Sequence, residues 1–228
     1  NLGTGTHSFT FVATATTHHF ALVVGGGTGQ VTRFDNAKLT EASRVIFPAA
    51  TGTAPEVKQG NSVNDLALST NSINRVLVDN DGHVTMPTQS AFSAKVGSQI
   101  DNLTAGGASN TLIPFDTEIF DQNSDYNTNG TFTAPVTGKY ILMFHLRLET
   151  LDTTPNTYDF NLVTSNRTYN HRIDPDLADY DANFYHVNLT VLADMDANDT
   201  CQIQYYQDGG GAQTDIDPSS YLMGYLAC

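Results

Sequence analysis

Several residue types are scarce in this sequence, and each shortage excludes a class of protein. There is no Trp, and the two cysteines, Cys201 and Cys228, are too few for a disulfide framework and are not spaced as metal ligands. Whether these thiols pair with each other stays open. No apolar run approaches the roughly 18 residues that a membrane-spanning helix needs. Because the chain has no signal-peptide pattern and no initial Met, we expect a fragment or a processed product.

Basic side chains are scarce as well. The chain has 10 Lys and Arg residues against 24 Asp and Glu residues, which gives a net charge of −14. The imbalance lies in residues 90–228, which hold five basic and 18 acidic side chains. Since such a surface repels polyanions, we expect no nucleic-acid partner and no membrane insertion.

Threonine and glycine are abundant, with 30 and 18 residues respectively. Threonine favours strands, while glycine and asparagine favour turns, so an all-helical protein is excluded and the predicted fold class is all-β. The composition of the chain changes near residue 89, and we predict two domains, 1–89 and 90–228.

Residues 1–89 combine short strands with few large side chains. Arg75–Val78 and His83–Pro87 flank Asp81-Gly82, which is a strong hairpin signal. A stretch of this size and composition buries little core by itself. We therefore predict a fibrous β-stalk, or particle-attachment region, in which three chains share one core. A small independent sandwich and a loosely ordered linker are the alternatives.

Residues 90–228 contain longer segments of alternating polarity, which are clearest from Tyr140 to Leu148. Turn residues separate the segments about every 10–15 positions, which is typical of an antiparallel sandwich or jelly roll. The predicted strands are Ser90–Lys95, Thr111–Phe115, Gly130–Ala134, Lys139–Glu149, Thr157–Thr164, Arg167–Ile173, Phe184–Ala193, Cys201–Gln207 and Ser219–Leu226.

Three motifs in this half appear in the order found in a known family. The chain reads Phe92-Ser93-Ala94-Lys95, then Gly–x–Phe–x–x–Pro–x–x–Gly–x–Tyr from Gly130 to Tyr140, and finally Met223-Gly224-Tyr225-Leu226. These motifs resemble the globular head of complement component C1q, a branch of the tumour necrosis factor superfamily. The resemblance implies a ten-stranded antiparallel jelly-roll head that assembles as a homotrimer.

The segment before this head departs from that family, because it contains no Gly-x-y collagen triplets. The run from Val76 to Phe92 instead resembles bacteriophage tail fibres and spikes, in which a strand, an Asp/Gly turn and a Met-Pro step lead into a receptor-binding tip. The resemblance implies a protein of the virion surface. Its partners would be other tail or capsid proteins and a host-surface glycan or outer-membrane protein.

Catalytic motifs are not found in the sequence. It has neither a Gly-x-Ser-x-Gly elbow nor His-Glu-x-x-His. We therefore expect no enzyme, although a glycosidase-type pair of carboxylates stays open.

The candidate ligand-binding residues are acidic. Four of them, Asp174, Asp176, Asp179 and Asp181, lie in the densest acidic loop, and Asp208 opens a glycine-rich loop. Carboxylates in loops are the ligands that calcium takes, so calcium is the candidate cofactor, and a solvated acidic loop is the alternative.

Histidines are weaker candidates for a metal site. His18-His19 would point to opposite faces of a strand, although three chains can bring copies of one histidine together at an axis. His145 lies within an apolar strand, where we expect a core or subunit-contact residue. Metal ligands therefore stay undefined at this point.

The function that these observations predict is host recognition by a trimeric viral fibre. Threefold symmetry and many fibres per particle multiply weak contacts, so avidity can exceed single-site affinity by roughly 10²–10⁴. Two alternatives stay open: a secreted lectin-like recognition protein of a cellular organism, and a purely architectural capsid or tail component.

Overall fold

The structure is a computed structural model that describes residues 21–26, 30–35, 44–46, 52–62, 64–103, 110–175 and 180–228. Two compact units divide the chain after Pro87. Strands dominate both units, as the composition predicts. Within the described residues, no helix has the length and hydropathy to cross a membrane.

The first unit contains a hairpin and a small antiparallel sheet. The hairpin joins β1 (Ala21–Gly26) to β2 (Gln30–Asp35). The sheet follows chain order and consists of β3 (Arg44–Ile46), β4 (Glu56–Gln59), β5 (Leu66–Thr70), β6 (Ile73–Val78) and β7 (Val84–Thr85). His18 and His19 lie outside the described residues.

The turn between β6 and β7 confirms the hairpin predicted at Asp81-Gly82. Val78 and Val84 are register partners, and Gly82 has a φ of 88°, which few other residues adopt without strain. The Asp79 carboxylate accepts the backbone N–H groups of Asp81 and His83, each at 2.9 Å. These bonds stabilise the turn through a side chain of the turn itself.

The second unit is a jelly roll of two facing antiparallel sheets. Sheet I has the order β10-β8-β19-β13-β16, with β18 paired to β13, and sheet II has the order β11-β12-β17-β14-β15, with β9 paired to β17. The strands are β8 (Ala91–Lys95), β9 (Thr111–Leu112), β10 (Thr117–Asp121), β11 (Tyr126–Asn127), β12 (Thr131–Thr133), β13 (Gly138–Leu151), β14 (Thr157–Thr164), β15 (Thr168–Ile173), β16 (Ala182–Met195), β17 (Thr200–Asp208), β18 (Asp215–Ile216) and β19 (Tyr221–Leu226).

The core lies between the two sheets and follows the period of two that strands impose. On β13 every even-numbered residue from Tyr140 to Leu148 is buried, and the odd-numbered residues face outward. Phe92 of sheet I stacks on Phe132 of sheet II with ring centroids 4.7 Å apart. Each such fully buried ring stabilises the fold by about 1.5–3 kcal/mol.

Both described cysteines are free thiols. Cys201 is buried on β17, and Cys228 is exposed at the end of the chain. Burial raises the pKa of the Cys201 thiol to about 12.

The two ends of the jelly roll differ. At the base, the chain enters at Thr88–Ser90 and leaves after Leu226, where Ser90 and Leu226 share a backbone hydrogen bond. The opposite end, here called the loop end, consists of the segments 96–103, 152–156, 174–175, 180–181 and 209–214.

Candidate functional site

Asp152 joins two segments of the loop end through hydrogen bonds. It follows β13, is only 4 % exposed, and accepts backbone N–H groups from Thr154 at 2.9 Å and from Gly211 at 2.7 Å. Burial by itself would raise the pKa of the Asp152 carboxyl, but the hydrogen bonds from Thr154 and Gly211 outweigh it and leave the pKa below its ordinary value. The 152–156 and 209–214 segments of the loop end are thus both hydrogen-bonded to one ionised carboxylate.

Asp181, one of the predicted ligand residues, lies at the surface of the same assembly. Its carboxylate accepts hydrogen bonds from Gln213 Nε2 at 2.8 Å, Thr153 N at 3.0 Å and Thr153 Oγ1 at 2.9 Å. These bonds, the one from Gln213 first, lower the pKa of the Asp181 carboxyl. The side chain is therefore fixed and charged near neutral pH.

Asp208, at the end of β17, lies on the other side of the 152–156 segment. Its Oδ2 accepts a hydrogen bond from Asn156 Nδ2 at 3.2 Å, so Asp181 and Asp208 flank one segment. Asp174 is exposed directly after β15. Asp176 and Asp179 lie outside the described residues.

Carboxylates outnumber cations around this end. Asp215 holds the neighbouring loop by accepting the backbone N–H of Asn102 at 2.7 Å. The cation on the nearby edge strand is Arg172, which already pairs with Asp159. The arrangement suits contact with a neutral or basic group, or with a group bridged by a divalent cation.

A second feature of the head is an apolar row on the outer face of sheet I. Register places Ala91, Tyr225, Ile141 and Leu192 in one row across β8, β19, β13 and β16. Leu192 is 62 % exposed and Tyr225 is 44 % exposed. Exposed apolar patches of this kind mark interaction surfaces.

Residues 91–227 match the C1q domain family. The chain belongs to the C1q domain family. This confirms the resemblance inferred from the motifs between Phe92 and Leu226. A comparison with curated protein sequences finds no match.

Solved structures similar to this C1q-family chain have low sequence identity to it. The globular domain of the zebrafish complement 1qA protein is 17 % identical, with a TM-score of 0.45, over 61 % of this chain and 98 % of that one. Murine APRIL is 11 % identical, with a TM-score of 0.43, over 60 % and 98 %. The vertex protein P5 of PRD1 is 11 % identical, with a TM-score of 0.39, over 61 % and 97 %.

The C1q-family head places His145 on the outer face of sheet I rather than among the buried core residues. It is half-buried, and its register partners are Tyr221 on one side and Asn188 on the other. Of the two roles expected for this residue, a core position is therefore wrong, and a subunit contact stays a prediction.

Sequence reasoning missed two parts of this C1q-family site. Asp152 stands alone in a Thr-rich stretch, so no acidic cluster marks it, although Asp152-Thr153-Thr154 has the pattern of an Asx turn. The apolar row was not predicted, because its members are scattered over four strands and meet only through register.

One further cluster of potential metal-ligating groups is present in the described part of the chain. Asp79, Asp81 and His83 in the β6–β7 turn place one ligand atom each within 4.8 Å of one another. Because Asp79 already bonds the backbone and the His83 ring, this cluster is accounted for by the turn itself.

Proposed function

We propose that this protein is a homotrimeric receptor-binding fibre of a virus, in which the C1q-like head meets the host cell. The observation that carries the proposal is the apolar row on the outer face of sheet I. Leu192 is 62 % exposed and Tyr225 is 44 % exposed, and both lie in the row that passes through Ile141, where a partner surface can cover them.

Contact between identical copies is the simplest way to cover this face. Closed symmetry lets one self-complementary surface be buried in every subunit, and domains of the C1q and tumour necrosis factor type are commonly trimeric recognition modules. The face runs along sheet I toward the base, so three heads packed through it would point their loop ends in one direction.

The first unit offers a surface that fits the stalk part of the proposal. Leu66, Val78 and Val84 are successive register partners and therefore share one face of the small sheet. Leu66 is 49 % exposed and Val84 is 60 % exposed. Three copies that pack these faces together would gain the core that one copy lacks.

The loop end is the contact surface in this proposal. Asp181 and Asp208 accept hydrogen bonds from the 152–156 segment, and Asp174 is exposed directly after β15. Their receptor is a host-surface glycan or outer-membrane protein with neutral or basic groups, or one bridged by calcium. Binding without turnover, repeated three times per fibre, supplies the adhesion.

The test combines oligomeric state with adhesion. Light scattering should give three times the chain mass of 24.6 kDa. A fluorescently labelled chain should adhere to some strains of a bacterial panel, and the double change Asp181→Asn with Asp208→Asn should weaken adhesion. Asp199→Asn, at the base, is the matched control and should leave it unchanged.

Each alternative has its own signature in this experiment. A trimer that adheres to no strain in the panel favours the architectural role. Adhesion only to animal or plant cells favours the secreted lectin, and shortening of a bound glycan by the pure protein favours an enzyme. A 24.6 kDa monomer contradicts the proposal.

A further inference from the structure

Two histidines meet on the outer face of sheet I. His145 of β13 and His186 of β16 lie diagonally across neighbouring strands, two residues out of direct register and therefore on the same face. Nε2 of His145 is 3.3 Å from Nδ1 of His186, and the ring centroids are 5.1 Å apart. His145 is half-buried and His186 is exposed, so solvent reaches the point where the nitrogens meet.

Asn188 fixes which nitrogen of His145 is available. Nδ1 of His145 lies 2.5 Å from Oδ1 of Asn188, its direct register partner. Because an amide oxygen only accepts hydrogen bonds, Nδ1 carries the proton and Nε2 directs its lone pair toward His186. Metal-ligating histidines commonly have such an oxygen behind them, which holds the ring and the tautomer.

The neighbouring cation is directed away from this pair. Arg147 is the register partner of His186, but its Nη2 lies 2.8 Å from Glu149 Oε1. The guanidinium carbon lies 4.7 Å from the centre of the Phe184 ring. Its charge is thus paired with that of Glu149, which reduces the repulsion of an incoming cation.

We propose that His145 and His186 form a two-imidazole site for a divalent transition metal of the zinc class. A tetrahedral zinc ion with Zn–N bonds of about 2.0–2.1 Å places two ligand nitrogens about 3.3–3.4 Å apart. The two ring nitrogens already stand at 3.3 Å. Imidazole favours zinc, copper, nickel and cobalt, whereas calcium prefers oxygen.

Binding requires only one proton to move. In the metal-free pair, His186 Nδ1–H donates to His145 Nε2. When the ion binds both nitrogens, His186 carries its proton on Nε2 instead, and no net proton is lost. The remaining coordination positions take water or a group from another copy of the chain. The site lies within one chain, so it does not rest on the proposed trimer.

The test uses Zn²⁺ and Co²⁺ with the full chain. Calorimetry should show Zn²⁺ binding that weakens at least tenfold in His145→Asn and in His186→Asn. Two matched controls, His171→Asn on sheet II and His83→Asn in the β6–β7 turn, should keep the wild-type affinity. Co²⁺ should broaden the nuclear magnetic resonance signals of residues 143–147 and 184–188 before any others.

The outcomes separate the site from other histidines and from assembly. Zn²⁺ affinity that survives both single changes, or Co²⁺ broadening centred elsewhere, overturns the proposal. Unchanged melting temperatures of the variants without metal show that the fold is intact. Light scattering on the same samples reports the oligomeric state, so a failed trimer and a failed metal site give different results.

Discussion

Arg172 donates two parallel hydrogen bonds to Asp159 across β15 and β14. Nε lies 2.7 Å from Oδ1 and Nη2 lies 2.9 Å from Oδ2, and the two residues are direct register partners. Asp159 is 7 % exposed, whereas the Arg172 side chain is 61 % exposed. The hydrogen bond from Arg172 is the main reason that the pKa of the Asp159 carboxyl falls below its ordinary value.

This pair predicts a stability difference that depends on pH. Asp159→Asn should lower the free energy of unfolding at pH 7 by about 1 kcal/mol, a modest loss because Arg172 reaches solvent. A carboxyl with a lowered folded-state pKa stabilises the fold above its unfolded value of about 4 and loses that contribution as the pH falls through the folded value.

Urea denaturation of both proteins at pH 7 and pH 3 checks this. The gap between wild type and variant should shrink at pH 3, because that pH lies below the unfolded pKa of the carboxyl and the unfolded wild-type chain gains a proton there. Arg172→Met should behave like Asp159→Asn at pH 7. A gap that is equal at both pH values contradicts the assignment.

A second prediction concerns Asp152, whose hydrogen bonds should restrict the motion of the loop end. Asp152→Asn turns one acceptor into a donor that faces N–H groups of Thr154 or Gly211, so we expect a loss of about 1–3 kcal/mol in the free energy of unfolding. Hydrogen exchange at the amide of Gly211 should accelerate. Thr153→Ala is the control: it removes a half-buried hydroxyl that bonds Asp181 rather than Asp152, so it should leave exchange at Gly211 unchanged and cost less. Wild-type exchange at Gly211 in Asp152→Asn would show that the bond does not hold the loop.

The alternation of apolar and polar residues allowed many strands of the jelly roll to be predicted from the sequence. Thr157–Thr164 is predicted to the residue, and the long strand through Tyr140 is found with its buried and exposed faces as expected. The Thr111–Phe115 prediction is too long, because β9 ends at Leu112 ahead of Pro114, which has no N–H for a sheet. Strand β10 (Thr117–Asp121) was missed, since it lies at a sheet edge with three consecutive exposed residues and a register shift.

The candidate site was less predictable, for a physical reason. Local sequence reveals where carboxylates are dense, which led to Asp181 and Asp208. It does not reveal which loops meet at one end or which strands are neighbours. The Asp152–Gly211 hydrogen bond and the His145–His186 contact both join residues more than 40 positions apart, and only the sheet order brings them together.

A third prediction concerns Gly224, where the core leaves no room for a larger side chain. A Cβ built there would lie 2.7 Å from Leu142 Cδ2, 2.9 Å from Phe92 Cε1 and 3.1 Å from the carbonyl oxygen of Ile141. Gly224→Ala should therefore lower the free energy of unfolding by about 1–3 kcal/mol through overpacking. Gly209→Ala, in the open loop end, is a comparison in which the added carbon meets nothing within 4 Å and the cost comes from a positive φ alone. Thermal melting distinguishes the two, and a neutral Gly224→Ala would show that sheet I yields at this point.

A fourth prediction concerns Leu192 and tests whether the apolar row of sheet I is the contact between subunits. Leu192→Lys places a charge in the apolar row of sheet I without disturbing the core, because the side chain is 62 % exposed in one chain. We expect the proposed trimer to dissociate while circular dichroism stays that of a folded β protein. Thr168→Lys, an exposed position on sheet II, adds the same charge and should leave the trimer intact. If Thr168→Lys dissociates the trimer and Leu192→Lys does not, the subunits pack through sheet II instead.

The two thiols predict a clear difference in reactivity. Cys228 is exposed and lines a cleft of about 320 Å³ at the base, together with Lys139 and Asp194. Cys201 is buried, and its raised pKa keeps it protonated, so it presents neither access nor a thiolate. A thiol reagent such as dithionitrobenzoate should label one thiol per native chain within minutes and the second only after denaturation. Cys228→Ser should abolish the fast reaction and leave the slow one. Two fast thiols would mean that the Phe132–Cys201 strand pair opens readily, and none would mean that Cys228 is covered in the assembled protein.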